Sequence, residues 1–589
     1  MGTPETVRLT VDGRPVEARA GETLLSALRA AGYEIPTLCH LEGLPPFGAC
    51  RLCVVELAGS GRLVTACTQK VADGMEIQTS SPAVREARRQ VLELLLADHP
   101  QACLSCARSD DCELRVLAAR WGARVGAYVG ARRKAQDQEP DVSSGVIVRD
   151  PGKCILCGRC VRVCQEVQGI GAIDFVGRGF DVTVGSGFGV PLAESGCVYC
   201  GQCVLRCPVG ALYEQDHVER VWQALHDPST RVVAQIAPAV RVSVGEAFGA
   251  APGAPLTGQI VAALRWLGFD YVFDTNFGAD LTVMEEAAEL LRRLSGKSSH
   301  EPLPLMTSCC PAWVKYVEHY FPERLAHLST CRSPHEMVGA VVKQYFAAKA
   351  GIHPDRLFVV SIMPCTAKKF EARREELGGA VDAVLTTREF IRMLRQAGID
   401  VTRLAPEPMD PVLGQSTGAA VIFGGSGGVA QAALRTAYHM ATGQDLPPDA
   451  LEWTEIGAGG GIRRLDVALG DRVLRCAIVD GLRAARTLLE SPEFERLDFV
   501  EVMACPGGCV GGGGQPRAAA GEAGIVGTRL ARASALAGID RASPQRCAHQ
   551  NPEVQALYAE WLGSPGSERS HTVLHTHYRP RAVPVAMTD

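Results

Sequence analysis

The sequence predicts a multidomain chain in which small α+β domains precede a larger α/β domain with two lobes. Three observations lead there. At 589 residues the chain is too long for one hydrophobic core. Cysteines crowd into closely spaced runs over the first 220 residues or so. From about residue 225 the runs RVVAQIA, DYVFD, LFVVSIM, DAVLTT, VLRCAIVDG and FVEVMAC alternate with helix-like segments, the pattern of parallel sheets covered by helices. The expected domains are 1–80, 81–140, 141–220 and 221–589.

Hydrophobic residues make up 47% and charged residues 21%, the balance of a soluble globular protein. A net charge of −5 offers no basic field for nucleic acid or a membrane surface. The start, MGTPETVRLTVDG, lacks the basic and apolar stretches of a signal peptide. Apolar runs such as Leu357 to Met363 are too short to span a bilayer. A cytoplasmic protein is therefore expected. The 23 cysteines then point to metal rather than disulfides, because C-x2-C spacing in a large cytosolic chain is ligand spacing.

Residues 1–80 read as short strands, VRLTVDG and PVEARAG, followed by the helix ETLLSALRAAG. They carry Cys39, Cys50, Cys53 and Cys67 as C-x10-C-x2-C-x13-C. Four thiolates can hold a [2Fe–2S] cluster, and zinc is the alternative. Gly48 would let the backbone approach closely. Ser81-Pro82 then opens a helix as cap and first-turn residue, with Val84, Ala87, Val91, Leu94 and Leu95 on its apolar face. After it come His99, Cys103, Cys106 and Cys112, spaced H-x3-C-x2-C-x5-C, a set that suits zinc or a [4Fe–4S] cluster. The polar stretch KAQDQEPDVSSGV reads as a linker. Next, Cys154, Cys157, Cys160 and Cys164 are echoed by Cys197, Cys200, Cys203 and Cys207. This is the bacterial two-cluster run, in which the fourth cysteine of each run serves the other cluster. One cluster is thus expected on Cys154, Cys157, Cys160 and Cys207, the other on Cys197, Cys200, Cys203 and Cys164.

The last region holds three motifs: TSCCPAW from Thr307, MPCTAKKFE from Met363 and EVMACPGGCVGGGGQP from Glu501. Their thiols Cys310, Cys365, Cys505 and Cys509 suffice for one more [4Fe–4S] cluster. Cys365 and Cys505 directly follow strand-like runs, where sites form in open α/β sheets. The glycines around Cys509 would clear space for a bulky group.

These motifs resemble, almost letter for letter, the three signature segments of the [FeFe]-hydrogenases. The N-terminal modules follow in that family's order, with spacings like those of complex I large subunits. The resemblance implies a plant-type ferredoxin β-grasp domain with one [2Fe–2S] cluster. It implies next a small helical domain whose one histidine and three cysteines hold a [4Fe–4S] cluster, and then a bacterial 2[4Fe–4S] ferredoxin domain. It also implies an H-cluster: a cubane on Cys310, Cys365, Cys505 and Cys509, bridged by Cys509 to a diiron unit carrying CO, cyanide and azadithiolate. The implied reaction is reversible H2 oxidation and proton reduction. In the family, the position of Cys309 passes protons between the bridging amine and the protein. Lys368 matches the lysine paired with cyanide, Met363 and Met503 the apolar wall, and Pro238 the backbone contact to the second cyanide. Glu286, Ser329 and Glu289 match the proton path, although MEEAAEL alone reads as a solvated helix face. Three departures stand out: Ala239 for serine, His335 for glutamine and Met306 for phenylalanine. Cys331, Cys476 and Cys547 carry no motif and read as ordinary cysteines.

The glycine runs FGGSGG at 423–428 and GAGGG at 457–461 lack the spacing of a dinucleotide fingerprint, so they read as tight turns. The resemblance to catalytic subunits of NAD(P)-linked hydrogenases, a group that includes electron-bifurcating complexes, implies a hetero-oligomer. Its partner would be a flavoprotein NAD(P)-binding subunit, ferredoxin, or both. The competing readings are a hydrogen sensor of the same fold and a non-catalytic electron-transfer subunit of a complex I-like assembly.

Overall fold

The first hairpin follows from Asp12-Gly13, whose positive φ values of 50° and 78° let strands Thr6–Val11 and Arg14–Arg19 pair antiparallel. In the computed structural model, which describes residues 6–128, 133, 137–296, 301–447, 451, 453–455, 461–470, 472–517 and 522–582, this hairpin joins a five-stranded sheet. Its order is Arg14–Arg19, Thr6–Val11, Glu76–Gln78, Val54–Leu57, Arg62–Thr65. Helix Leu24–Ala30, capped by the Thr23 hydroxyl, buries Leu24, Leu25 and Leu28 in the small core of this unit.

Helix Pro82–Ala97 begins where the cap residues place it, with the Ser81 hydroxyl accepting the Val84 amide. Its buried stripe differs from the expected one. Val84, Arg88, Leu92 and Leu96 point inward, whereas Leu94 is 55% exposed. Arg88 turns the helix: its guanidinium lies 4.9 Å from the Trp121 ring centroid and donates to the Val54 carbonyl at 2.7 Å. A long amphipathic side chain can thus occupy a core position when its head finds a partner. The polar stretch expected as a linker is partly anchored: the buried Ser144 hydroxyl accepts the Val146 and Ile147 amides. A short ladder of Ile147–Arg149 with Leu212–Glu214 closes the doubled cysteine run.

The remaining chain forms two sheets. The first is wholly parallel, in the order Tyr271–Asp274, Arg231–Ile236, Leu357–Met363, Ala383–Thr386. The second corrects the expectation of parallel sheets. Leu305–Met306, Phe499–Met503 and Arg472–Asp480 pair parallel, but Ile462–Leu469 and Thr454–Glu455 add antiparallel. Strand Ile462–Leu469 alternates charged and apolar residues, as an antiparallel sheet with one solvated face requires. FGGSGG leads into helix Gly428–Thr442 through Gly427 at φ 93°. Of GAGGG, only Gly461 lies within the described residues. Among the described residues no helix is long and apolar enough to cross a membrane.

Between the sheets runs helix Thr275–Leu294, buried on nearly every side. It packs closely on helix Pro334–Val341, and a Cβ on Gly278 would lie 2.2 Å from the Pro334 carbonyl oxygen. That oxygen belongs to backbone and cannot rotate away. Gly278→Ala is therefore expected to destabilise this region by about 1–3 kcal/mol, read as a lowered calorimetric Tm of the iron-loaded protein. An unchanged Tm would mean that the helices separate freely.

Candidate active site

Open α/β sheets place sites beyond the carboxyl ends of their strands, and here the two sheets point those ends at each other. Strand Leu305–Met306 delivers Cys309 and Cys310, the latter capping helix Pro311–Tyr320. Strand Leu357–Met363 delivers Cys365, and strand Phe499–Met503 delivers Cys505, with Cys509 on the turn Gly508–Gly511. Strand Arg231–Ile236 is followed by Pro238. All of these loops wall one cavity, lined also by Met363, Met503, Lys368, His335 and Phe423.

Desolvation raises the affinity of each thiol for its proton. It pushes Cys365 to about 12, Cys505 well above the ordinary thiol value, and Cys310 and Cys509 upward, with their mutual repulsion adding to it. The amides of Ala312, Trp313 and Ala504 partly offset this at Cys310, as do those of Ala367 and Lys368 at Cys365. Four mutually repelling thiols in an apolar chamber fit an iron–sulfur group, because metal ions deprotonate such thiols outright.

Gly508 and Gly512 line the cavity, and the glycine run is also needed for close backbone packing. A Cβ on Gly512 would meet the Pro364 carbonyl oxygen at 2.3 Å, and one on Gly513 the Cys200 carbonyl oxygen at 2.4 Å. The run is thus a backbone wedge between the Cys365 loop and the second accessory cysteine run. Thr366 donates to the Tyr199 carbonyl at 2.7 Å and Gln202 to the Gly511 carbonyl at 2.9 Å. The Cys505 sulfur consequently sits 4.0 Å from the Cys200 carbonyl oxygen. Neither Thr366 nor Gln202 could be singled out from sequence, since neither has a ligand's chemistry.

Glu286 and Glu289 do not form a solvated face; both are buried. Glu286 lies beside Cys309, close enough to raise the thiol's proton affinity. Burial and the neighbouring Glu289 in turn push Glu286 to about 8. Ser329 and the Ser308 amide adjoin the Glu286 carboxyl, yet neither of its oxygens meets hydrogen-bond geometry. The Ser329 hydroxyl instead donates to Glu289 at 2.8 Å, and Glu289 pairs with Arg293 at 2.5 Å. Lys368 donates to the Cys309 carbonyl at 3.1 Å and to Glu371 at 2.6 Å, while Glu371 also contacts His335 at 2.7 Å. Glu371, three residues after Lys368 on the same turn, was inside a recognised motif without an assigned part. Ala239 is buried behind Pro238, and its carbonyl accepts Ser243. Met306 packs into the core beside the cavity rather than lining it.

The accessory cysteines also gather as their spacing predicts. Cys39 pairs with Cys50, and Cys53 with Cys67, through sulfur hydrogen bonds. The Leu38 amide donates to the Cys50 sulfur at 3.3 Å. His99 Nδ1 lies 3.0 Å from the Pro100 carbonyl oxygen, which leaves Nε2 buried without a partner among the described residues, a lone pair free for a metal. Cys112 has Cys103 and Cys106 as its charged neighbours. In the doubled run Cys207 lies near enough to act on Cys154, Cys157 and Cys160, and Cys164 near enough to act on Cys197 and Cys203.

Such a chamber, fed by successive thiol clusters, defines an iron–sulfur oxidoreductase, and the chain belongs to the [FeFe]-hydrogenase family. Residues 230–513 match the C-terminal domain of the iron-only hydrogenase large subunit, and 526–581 match the iron hydrogenase small subunit. Residues 4–82 match a 2Fe-2S iron-sulfur cluster binding domain, 88–125 the NADH-ubiquinone oxidoreductase-G iron-sulfur binding region, and 153–211 a 4Fe-4S dicluster domain. The NADP-reducing hydrogenase subunit HndD of Solidesulfovibrio fructosivorans is 45% identical over 97% of this chain and 99% of its own. Iron hydrogenase 1 of Clostridium pasteurianum is 36% identical over the same shares. A variant of the [FeFe]-hydrogenase HydA1 of Chlamydomonas reinhardtii superposes with a TM-score of 0.56, at 39% identity over 62% of this chain and 100% of its own.

Glu286 makes stability depend on pH. Its folded value near 8 exceeds the ordinary 4.5, so the stability contributed by the neutral acid is fully present below about 4.5 and is lost as pH rises through 8. Glu286→Gln cannot ionise. Between pH 6 and 9 the wild type should lose Tm that this variant keeps, and parallel Tm–pH curves would place the titration elsewhere.

Proposed function

We propose that the chain catalyses the reversible interconversion of H2 with protons and electrons at an H-cluster. The observation that carries this reading is the single cavity shared by Cys310, Cys365, Cys505, Cys509, Cys309 and Lys368. The first four would hold the cluster, Cys509 as the ligand shared with its diiron unit. When bound, that group would supply redox-active iron and an amine that exchanges protons.

The chain's own residues do the rest. The apolar wall of Met363, Met503 and Phe423 keeps water from the reacting centre. Lys368, itself fixed by Glu371, would present a buried cation to an anionic ligand of the group, and the Pro238 backbone, which lines the same cavity, would contact another. The Cys309 thiol holds one proton and hands it to Glu286, whose value near 8 suits traffic in both directions around neutral pH. Ser329 and Glu289 continue the path. The Cys505 sulfur lies 4.0 Å from the Cys200 carbonyl oxygen. The sets Cys154, Cys157, Cys160 and Cys207; Cys197, Cys200, Cys203 and Cys164; His99 with Cys103, Cys106 and Cys112; and Cys39, Cys50, Cys53 and Cys67 would hold the iron–sulfur groups that supply an onward path for electrons.

The four domains 1–80, 81–140, 141–220 and 221–589 divide this work. Likeness to a subunit named for NADP reduction supports a heteromeric complex in the cytoplasm, with a flavoprotein, ferredoxin or both as redox partner.

The test is exchange between D2 gas and ordinary water by anaerobically matured, fully iron-loaded protein, followed as HD and H2 by mass spectrometry. Rapid exchange is expected without any partner. Cys309→Ala and Glu286→Gln should each slow it by about 100-fold or more with iron content unchanged. Absence of exchange from full-iron wild type would turn the reading to a sensor or an electron wire. Purification of the native complex should bring down a flavin-containing chain, and its absence would remove the partner assignment.

A further inference from the structure

Behind the His335 wall of the cavity lies a buried acid that the proton path does not use. Ser333-Pro334-His335-Glu336 has the S-x-x-E spacing of a capping box, and it opens helix Pro334–Val341. The box is not made. The Ser333 side chain caps nothing, and neither its hydroxyl nor either Glu336 oxygen meets hydrogen-bond geometry with a described residue. Glu336 is wholly buried and turns to its neighbour instead, one carboxyl oxygen lying 3.2 Å from His335 Nε2.

His335 links two carboxyls. Its Nε2 also lies 2.7 Å from Glu371, while its Nδ1 faces the Ser361 hydroxyl at 3.1 Å. A Glu336 oxygen and a Glu371 oxygen fall within 4.8 Å of each other, and Glu371 accepts the Lys368 ammonium at 2.6 Å. Burial and Lys368 push His335 down to about 4, so the ring is neutral and one ammonium balances one carboxylate. An ionised Glu336 would be a second carboxylate in the same buried space, and two acids this close keep one proton between them. Burial and Glu371 accordingly push Glu336 up to about 8, against the pull of Lys368, Arg332 and Lys343. The last two are engaged elsewhere: Arg332 donates to the His575 and Leu377 carbonyls, and Lys343 to the Gly379 carbonyl and Asp382.

We infer that Glu336, as a neutral acid, is a positioning residue for Lys368, acting through His335 and Glu371. While Glu336 keeps its proton, Glu371 is the single counter-charge of the ammonium, and Lys368 stays in the cavity wall. Loss of that proton adds a second negative charge behind the ammonium and weakens its hold on an anion in the cavity. The inference rests on the H-cluster reading, in which Lys368 meets a cyanide ligand, and adds to it a residue that neither touches the group nor lies on a ligand-bearing loop.

The experiment records infrared spectra of anaerobically matured, iron-loaded protein between about pH 6 and 10. In wild type the cyanide stretches should shift as pH rises through about 8. Glu336→Gln keeps the shape of the side chain and cannot ionise, so its cyanide stretches should hold the low-pH positions of wild type across the range. Glu286→Gln removes the other acid that titrates near 8 and should leave the shift in place. Wild-type stretches that do not move, or that move equally in Glu336→Gln, would overturn the inference and leave the H-cluster reading intact. Iron-loaded wild type without cyanide stretches would overturn that reading, and this inference with it.

Discussion

A stretch of main chain without side chains sets the distance between the catalytic cavity and the rest of the molecule. Gly512 and Gly513 lie with their Cα atoms against the carbonyls of Pro364 and Cys200, at separations that admit no Cβ. An alanine at either position would push the Cys365 loop or the accessory loop outward, and the gap between Cys505 and Cys200 would widen with it. Backbone entropy makes such a run costly to order. The stapling by Thr366 and Gln202 offsets part of that cost, and both hold the same seam.

Burial then acts on two kinds of acid with opposite results. At the four cavity thiols it raises proton affinity so far that deprotonation needs a metal. At Glu286 the same desolvation stops near neutral pH, because Ser329 and the Ser308 amide lie close enough to ease the charge. One physical effect thus acts on thiols and carboxyl alike, and nearby amides and hydroxyls decide how far each is shifted. Glu371 shows the opposite balance: beside the Lys368 ammonium and His335 it is held down at about 2, a fixed counter-charge.

Much of this was legible in the sequence, because cysteine spacing is fixed by cluster geometry and strands rich in Val and Ile announce themselves. The cap at Ser81 and the strands behind Cys365 and Cys505 follow from local rules. What escaped depended on tertiary partners. Arg88 took a core position from the expected face because Trp121 and the Val54 carbonyl received it. Glu286 and Glu289 look solvated in MEEAAEL, and only the packing of helix Thr275–Leu294 between two sheets buries them. Strand Ile462–Leu469 was missed because its charged residues, on the solvated face of an antiparallel pair, break the continuous Val- and Ile-rich run of a buried strand. Family resemblance, not periodicity, identified the buried acids.

The two sheets that wall the cavity have no strand in common. Among the described residues no ladder of backbone hydrogen bonds therefore joins the two sheets across the chamber, and each keeps its own pairing. Parting the lobes costs side-chain contacts and the glycine seam but unzips nothing. Each sheet can therefore keep its register whether or not the chamber between them is filled.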